Sequence, residues 1–204
     1  MSQTPLDEER FWSDPSRYEN CDFFGDPAYD LIGVAARILA AHPNPKRALD
    51  VGCGPGRLAN RITHTDAKLR VFGFDISGPA VTRAAGEAYH ASGDGKPNAL
   101  FWRGNGRTIP AGITGSFDLA WSVTMFQHVP FDAQLDYIAQ VRDRLRPGGV
   151  FIFTIAVSDQ PPSQFFYPWP DTDDLVEVLT GWFDEVSVEH DVVNDWMWLR
   201  CATS

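Results

Sequence analysis

The stretch ALDVGCGPGRLA, Ala48 to Ala59, sets three glycines and a proline between an apolar run and an amphipathic segment. Glycine costs conformational entropy wherever the backbone has no need of its freedom. Here the glycines fall at 52, 54 and 56, a G-x-G-x-G pattern. The dinucleotide fingerprint is G-x-G-x-x-G, so the third glycine comes one position early. No Gly-Lys-Ser/Thr follows, which excludes a P-loop. Taken alone, the pattern fits a tight strand-to-helix turn as well as a ligand cradle.

Outward from this loop the chain alternates two periodicities. RALDV reads as a short buried strand and GRLANRITH opens a helix. LRVFGFD is a second strand, followed by SGPAVTRAAGEAYHA with Ser77 as its cap. NALFWRG and SFDLAWSV are strands three and four. Asp132 caps a helix in which Leu135, Ile138, Val141 and Leu145 recur at helical spacing. RPGG then turns the chain into VFIFTIAV, an apolar, β-branched and aromatic run expected of a strand buried on both faces. A helix in TDDLVEVLTGW and two strands, DEVSVEHDV and WMWLRCA, joined by a short VND turn, read as a closing antiparallel hairpin. Upstream, Asp26 and Pro27 read as N-cap and first position of a helix whose stripe is Leu31, Ile32, Val34, Ala35, Ile38 and Leu39.

Strands alternating with helices imply an α/β fold, a doubly wound, mostly parallel sheet that binds ligands beyond the carboxyl ends of its strands. The glycine loop sits at such an end. Asp75 closes the second strand about 20 residues on, where a carboxylate accepts hydrogen bonds from ribose hydroxyls and disfavours a 2′-phosphate. Asn105 in RGNG lies at the same rim.

Composition bounds the rest. The chain has 204 residues, 44% hydrophobic and 22% charged, which suits one folded domain with a modest appendage. No apolar run approaches the roughly 20 residues that span a bilayer. The start, MSQTPLDEERFW, lacks the pattern of a secretory signal, so a cytoplasmic setting is the expectation. A net charge of −10 argues against duplex nucleic acid as main partner. Cys21, Cys53 and Cys201 are odd in number and form no CxxC pair, which fits reduced thiols better than a disulfide frame or metal site.

Asp50-Val51-Gly52-Cys53-Gly54-Pro55-Gly56, Asp75, the FDLAWSV strand and Leu145-Arg146-Pro147-Gly148-Gly149 together resemble the class I S-adenosylmethionine-dependent methyltransferases. The likeness covers roughly Arg47 to Val157. It implies a Rossmann-like, seven-stranded sheet whose last strand is antiparallel. It further implies that Gly52, Gly54 and Gly56 admit the methionine part of the cofactor, with Cys53 packing in the loop and Asp50 beneath. Asp75 would bind the ribose, Ile76 would lie against the adenine, and Asn105 stands where the family commonly has an aspartate facing the adenine amine. Ser122 and Gln127 would lie near the methionyl end. Residues 1–25 read as an aromatic-rich cap segment and residues 26–204 as the methyltransferase domain.

Methyl transfer from a sulfonium is an in-line displacement, so alignment and exclusion of water dominate. A base is needed only where the acceptor still holds its proton. His128, just past the fourth strand, is the candidate; the alternative is a histidine packed on the following helix. His42, His64, His90 and His190 receive no role. The Asn/Asp-Pro-Pro-aromatic element of exocyclic-amine methylation and the Pro-Cys nucleophile of cytosine methylation are both missing. The aromatic N-terminal stretch (Phe11, Trp12, Tyr18, Phe23, Phe24) and the loop after the fifth strand (Phe165, Phe166, Tyr167, Trp169) suggest a pocket for a small apolar or planar molecule, or an aromatic part of a peptide. A cofactor-binding protein without catalysis and a nicotinamide-dependent dehydrogenase are the alternatives.

Overall fold

The computed structural model describes residues 5–14, 30–159, 161–163, 165–191 and 196–204. Tyr18, Cys21, Phe23, Phe24, the Asp26–Pro27 helix start and the VND turn lie outside these residues.

The sheet holds seven strands: β1 (Arg47–Val51), β2 (Arg70–Asp75), β3 (Ala99–Arg103), β4 (Phe117–Ser122), β5 (Leu145–Ile155), β6 (Glu185–Asp191) and β7 (Trp196–Ala202), in the order β3-β2-β1-β4-β5-β7-β6. Strands β1 to β5 pair in parallel, while β7 pairs antiparallel with both β5 and β6. The order reverses between β1 and β4, which opens a crevice at their carboxyl ends.

Six helices accompany the sheet among the described residues: α1 (Pro5–Trp12), α2 (Leu31–Ala40), α3 (Arg57–Thr65), α4 (Gly78–Ala91), α5 (Phe131–Arg142) and α6 (Asp173–Thr180). None is long and apolar enough to cross a membrane. Two apolar layers hold them, and the alternation of side chains along each strand assigns the layers. Leu49, Val51, Phe72, Phe151 and Phe153 pack with Ile138 and Val141 of α5 and Leu175 and Leu179 of α6. On the other face Ala48, Val71, Leu119, Trp121 and Ile152 meet Val34 and Ile38 of α2, Leu58 and Ile62 of α3, and Ala88 of α4. The run Val150–Ile155 is buried on both faces, as its composition predicts.

Caps and turns differ in places from the sequence expectation. The described α2 begins at Leu31, where Asp30 accepts the amide proton of Ile32 at 3.1 Å; an N-cap bond of this kind is worth about 1 kcal/mol. Ser77 caps α4 through Ala80, as expected. Asp132 does not cap α5: Pro130 holds the N-cap position without a side-chain bond, and Asp132 lies in the first turn. There its negative charge still complements the helix dipole. The RPGG segment is no free turn but the irregular start of β5, because the Gly148 amide donates to Thr203 O and the Thr203 amide to Gly149 O.

Candidate active site

The glycine loop leaves β1 and is tied at once to β2, since the amides of Gly52 and Cys53 both donate to Phe74 O, at 2.9 and 3.0 Å. All three glycines have positive φ: 74°, 50° and 76°. Their missing side chains serve different ends. A Cβ at Gly52 would fall 2.2 Å from Cγ of Met125, and one at Gly56 would fall 2.6 Å from Cβ of Ala84 on α4. At Gly54 it would meet no atom of the described residues within 4 Å. Gly54 therefore presents bare backbone to open space, while its two neighbours give room to the protein's own packing.

That open space is a cleft whose lining includes Asp50, Gly52, Cys53, Gly54, Asp75, Ile76 and His128 from the expected set, together with Trp12. Asp75 accepts from the Gly54 amide through Oδ2 at 2.9 Å and from the Ser77 amide through Oδ1 at 2.8 Å. Each oxygen keeps a further lone pair for a ligand. Burial raises the Asp75 carboxyl above its ordinary range, against the pull of the backbone amides of Ser77, Gly54 and Ile76.

Asp50 ends β1 opposite Trp121. Among the described residues neither its buried Oδ2 nor the buried indole nitrogen of Trp121 makes a hydrogen bond of full geometry. Burial, reinforced by the Asp75 charge, holds the Asp50 carboxyl well above the usual carboxylate range, against the weaker pull of the Trp121 indole N–H that faces it. Burial and the same two carboxylates push the Cys53 thiol well up, which suits packing and not nucleophilic chemistry.

His128 closes a one-turn 3-10 helix, Phe126–His128, after β4. Its Nδ1 lies 2.8 Å from Phe165 O. A carbonyl only accepts, so Nδ1 carries the proton and the neutral ring keeps its lone pair on Nε2. Burial lowers the His128 pKa, against the opposing effect of that bond. The imidazole is thus neutral near pH 7, within 4.6 Å (ring centroids) of Trp12. The backbone shows strain beside it: Thr124 and Phe165 both have positive φ, 57° and 56°.

Other expected residues are not part of this lining. Asn105 is exposed, and its Oδ1 accepts from the amides of Arg107 and Thr108 at 2.9 and 2.8 Å. Ser122 is fully buried and donates its hydroxyl to Val51 O at 2.9 Å, linking β4 to β1. Gln127 is buried, with its backbone carbonyl accepting from the Tyr167 amide. Phe165 is a buried anchor 4.5 Å from Phe11. Phe166 lies 6.3 Å from the His128 ring, whereas Tyr167 and Trp169 pack on Phe131. Trp169 also donates its indole proton to Gln134, which fastens the loop after β5 onto α5. The Ser122 hydroxyl turns to a backbone carbonyl because a buried donor needs a partner.

Among the lining residues that the sequence did not point to are Glu8, Met125 and Tyr137. No local motif marks them. Glu8 sits on an eight-residue helix and pairs with Arg107, 99 positions away.

The chain matches the family described as "Methyltransferase domain" over residues 48–149. It is 32% identical over 152 residues to trans-aconitate 2-methyltransferase of Streptomyces avermitilis, covering 74% of this chain and 53% of that protein. It is 31% identical over 145 residues to a ubiquinone biosynthesis O-methyltransferase of Burkholderia multivorans, covering 70% and 56%. The chain spans about half the length of these curated relatives. In fold it is similar to 1,6-didemethyltoxoflavin-N1-methyltransferase of Burkholderia thailandensis, solved with 1,6-didemethyltoxoflavin and S-adenosylhomocysteine bound: TM-score 0.72, 19% identity, 100% of this chain and 92% of that one.

Proposed function

The chain belongs to the methyltransferase domain family, and from that premise we propose that it transfers a methyl group from S-adenosylmethionine to a small-molecule acceptor, releasing S-adenosylhomocysteine. One observation carries this reading. The open backbone of Gly54 and the carboxyl groups of Asp50 and Asp75 line a single cleft. These groups fit the cofactor's parts. The bare loop admits an amino-acid tail, Asp50 offers a buried acceptor to its ammonium, and Asp75 offers acceptors to ribose hydroxyls.

When bound, the cofactor supplies a methyl group already activated by its sulfonium. The protein's share is to bind, align and keep water out. Trp12, Met125 and Val129 give the cleft an apolar wall for that purpose. His128, neutral and held by Phe165 O, is oriented to receive a proton from a weakly acidic acceptor. Glu8, Asp50 and Asp75 place three carboxyl groups in the lining against one guanidinium, that of Arg57, and Arg107 behind it is engaged by Glu8. That balance favours an uncharged planar acceptor, or the aromatic portion of a peptide, over a polycarboxylate or nucleic acid. Residues 1–25 act in this reading as a cap on the 26–204 domain, since Phe11 and Trp12 pack against Phe165 and His128.

Isothermal titration with S-adenosylmethionine and S-adenosylhomocysteine tests the cofactor, and methyl transfer across phenols, heteroaromatic amines and small acids tests the acceptor. Binding of both cofactors and turnover of a planar hydroxyl or amine are expected. No binding overturns the reading; binding without turnover on any acceptor replaces it with a non-catalytic sensor of the same fold.

A further inference from the structure

The side chain expected opposite the purine amine, Asn105, is engaged by its own loop. The turn it stabilises carries Arg107 toward the N-terminal helix. There Arg107 grips Glu8 with two parallel bonds, Nη1 to Oε2 at 2.9 Å and Nη2 to Oε1 at 3.0 Å. Glu8 is only 4% exposed and lines the cleft. Gly106 locates it: a Cβ there would fall 2.9 Å from Cδ1 of Ile76 and 3.6 Å from Oε2 of Glu8. The carboxylate thus lies beside the apolar wall that Ile76 presents. Each oxygen accepts one bond from Arg107 and retains a lone pair.

A second polar group comes to the same place from α5. Tyr137 is 3% exposed, lines the cleft, and its hydroxyl makes no hydrogen bond among the described residues. The charges that bear on it are those of Asp75, Arg107 and Glu8. A hydroxyl without a partner among the described residues, lining the same cleft as a fixed carboxylate and an aliphatic side chain, is suited to a flat ring bearing both donors and acceptors.

Resting on the cofactor reading above, we propose that Glu8 and Tyr137 form the base-recognition end of the cleft. Glu8 accepts from the exocyclic amine of a purine, Tyr137 donates to a ring nitrogen, and Ile76 packs on the ring face. The N-terminal helix is then part of the cofactor site. A keto-purine turns a carbonyl oxygen toward Glu8, acceptor against acceptor, and is rejected.

Titration of the full chain with S-adenosylhomocysteine and with S-inosylhomocysteine, in which the amine is replaced by a carbonyl, tests this. Wild type should prefer the adenosyl ligand by about tenfold or more. Glu8→Gln, whose amide can also donate to a carbonyl, should bring the two affinities together while keeping the fold. Tyr137→Phe should weaken S-adenosylhomocysteine about fivefold or more. Glu9→Ala, on the same helix as Glu8, which removes the contact of Glu9 with Arg103 of β3, should leave the preference intact. An unchanged preference in Glu8→Gln, or loss of it in Glu9→Ala, overturns the inference. Failure of wild type to bind either ligand sinks the cofactor reading itself, a separate result.

Discussion

The carboxylate of Asp75, at the tip of β2, accepts the amide proton of Gly54 at 2.9 Å. The residue expected to grip a sugar therefore also shapes the loop expected to hold an amino-acid tail, and the two halves of the site are mechanically one. Asp75→Ala should lower cofactor affinity about tenfold or more, the size of a lost charge-assisted contact. It should also lower the melting temperature, because the Gly54 and Ser77 amides lose their acceptor. Titration calorimetry and thermal melts read the two effects. A normal dissociation constant would place the ribose elsewhere.

The glycines separate binding from stability. Gly56→Ala drives a methyl into Ala84 at positive φ and should cost about 2 kcal/mol or more in denaturant unfolding. Gly54→Ala carries only the backbone strain, about 1 kcal/mol, since no atom of the described residues lies within 4 Å. Its main effect should be on cofactor affinity, because the methyl projects into the space proposed for the ligand. Equal effects of both variants on affinity would contradict this division.

Asp50 keeps its proton in the folded chain over a range where the unfolded chain has lost it, because burial raises its pKa. The native state then binds more protons, so this group's contribution to stability falls as pH rises above about 4 toward the folded value. Asp50→Asn should remove that slope and raise the melting temperature of the ligand-free protein at pH 7. Cofactor affinity should fall at the same time, as the anionic partner for the tail is gone. Melts across pH with and without S-adenosylhomocysteine check both signs.

His128 titrates the other way. Its lowered pKa means that the unfolded chain binds more protons just below about pH 6.5. Its contribution to stability, complete above that point, is lost on acidification until the folded value is reached. As a base it acts in the neutral form, so kcat should be flat at neutral pH and fall only below a pKa under 6.5. His128→Gln should cut kcat about 100-fold and abolish the acidic limb, with S-adenosylhomocysteine affinity unchanged. An unaltered pH profile would make the ring purely structural.

Much of this was written in local pattern. The change of period from two to 3.6 and back located the strands and helices from Arg47 onward, because each element must bury one face or both. The glycines and Asp75 were legible because a positive φ and a carboxylate at a strand tip are properties of single positions. The contacts of Ser122 and Asn105 were not legible because a polar side chain at a strand end has two outlets, ligand or backbone. Only the neighbours that folding brings decide between them: Val51 O claims the Ser122 hydroxyl, and the Arg107 turn claims Asn105.

By itself the sequence determined the doubly wound sheet, the place of its cleft, and the loop and carboxylate that line it side by side. Tertiary structure alone decided which glycine stays bare, how His128 is held in one tautomer, and that Glu8 joins the lining from 99 residues away. The reason is physical: backbone preferences and hydrophobic periodicity act between near neighbours along the chain. Ion pairs, ring contacts and the filling of a missing side chain's space depend on distances that exist only once the layers have packed.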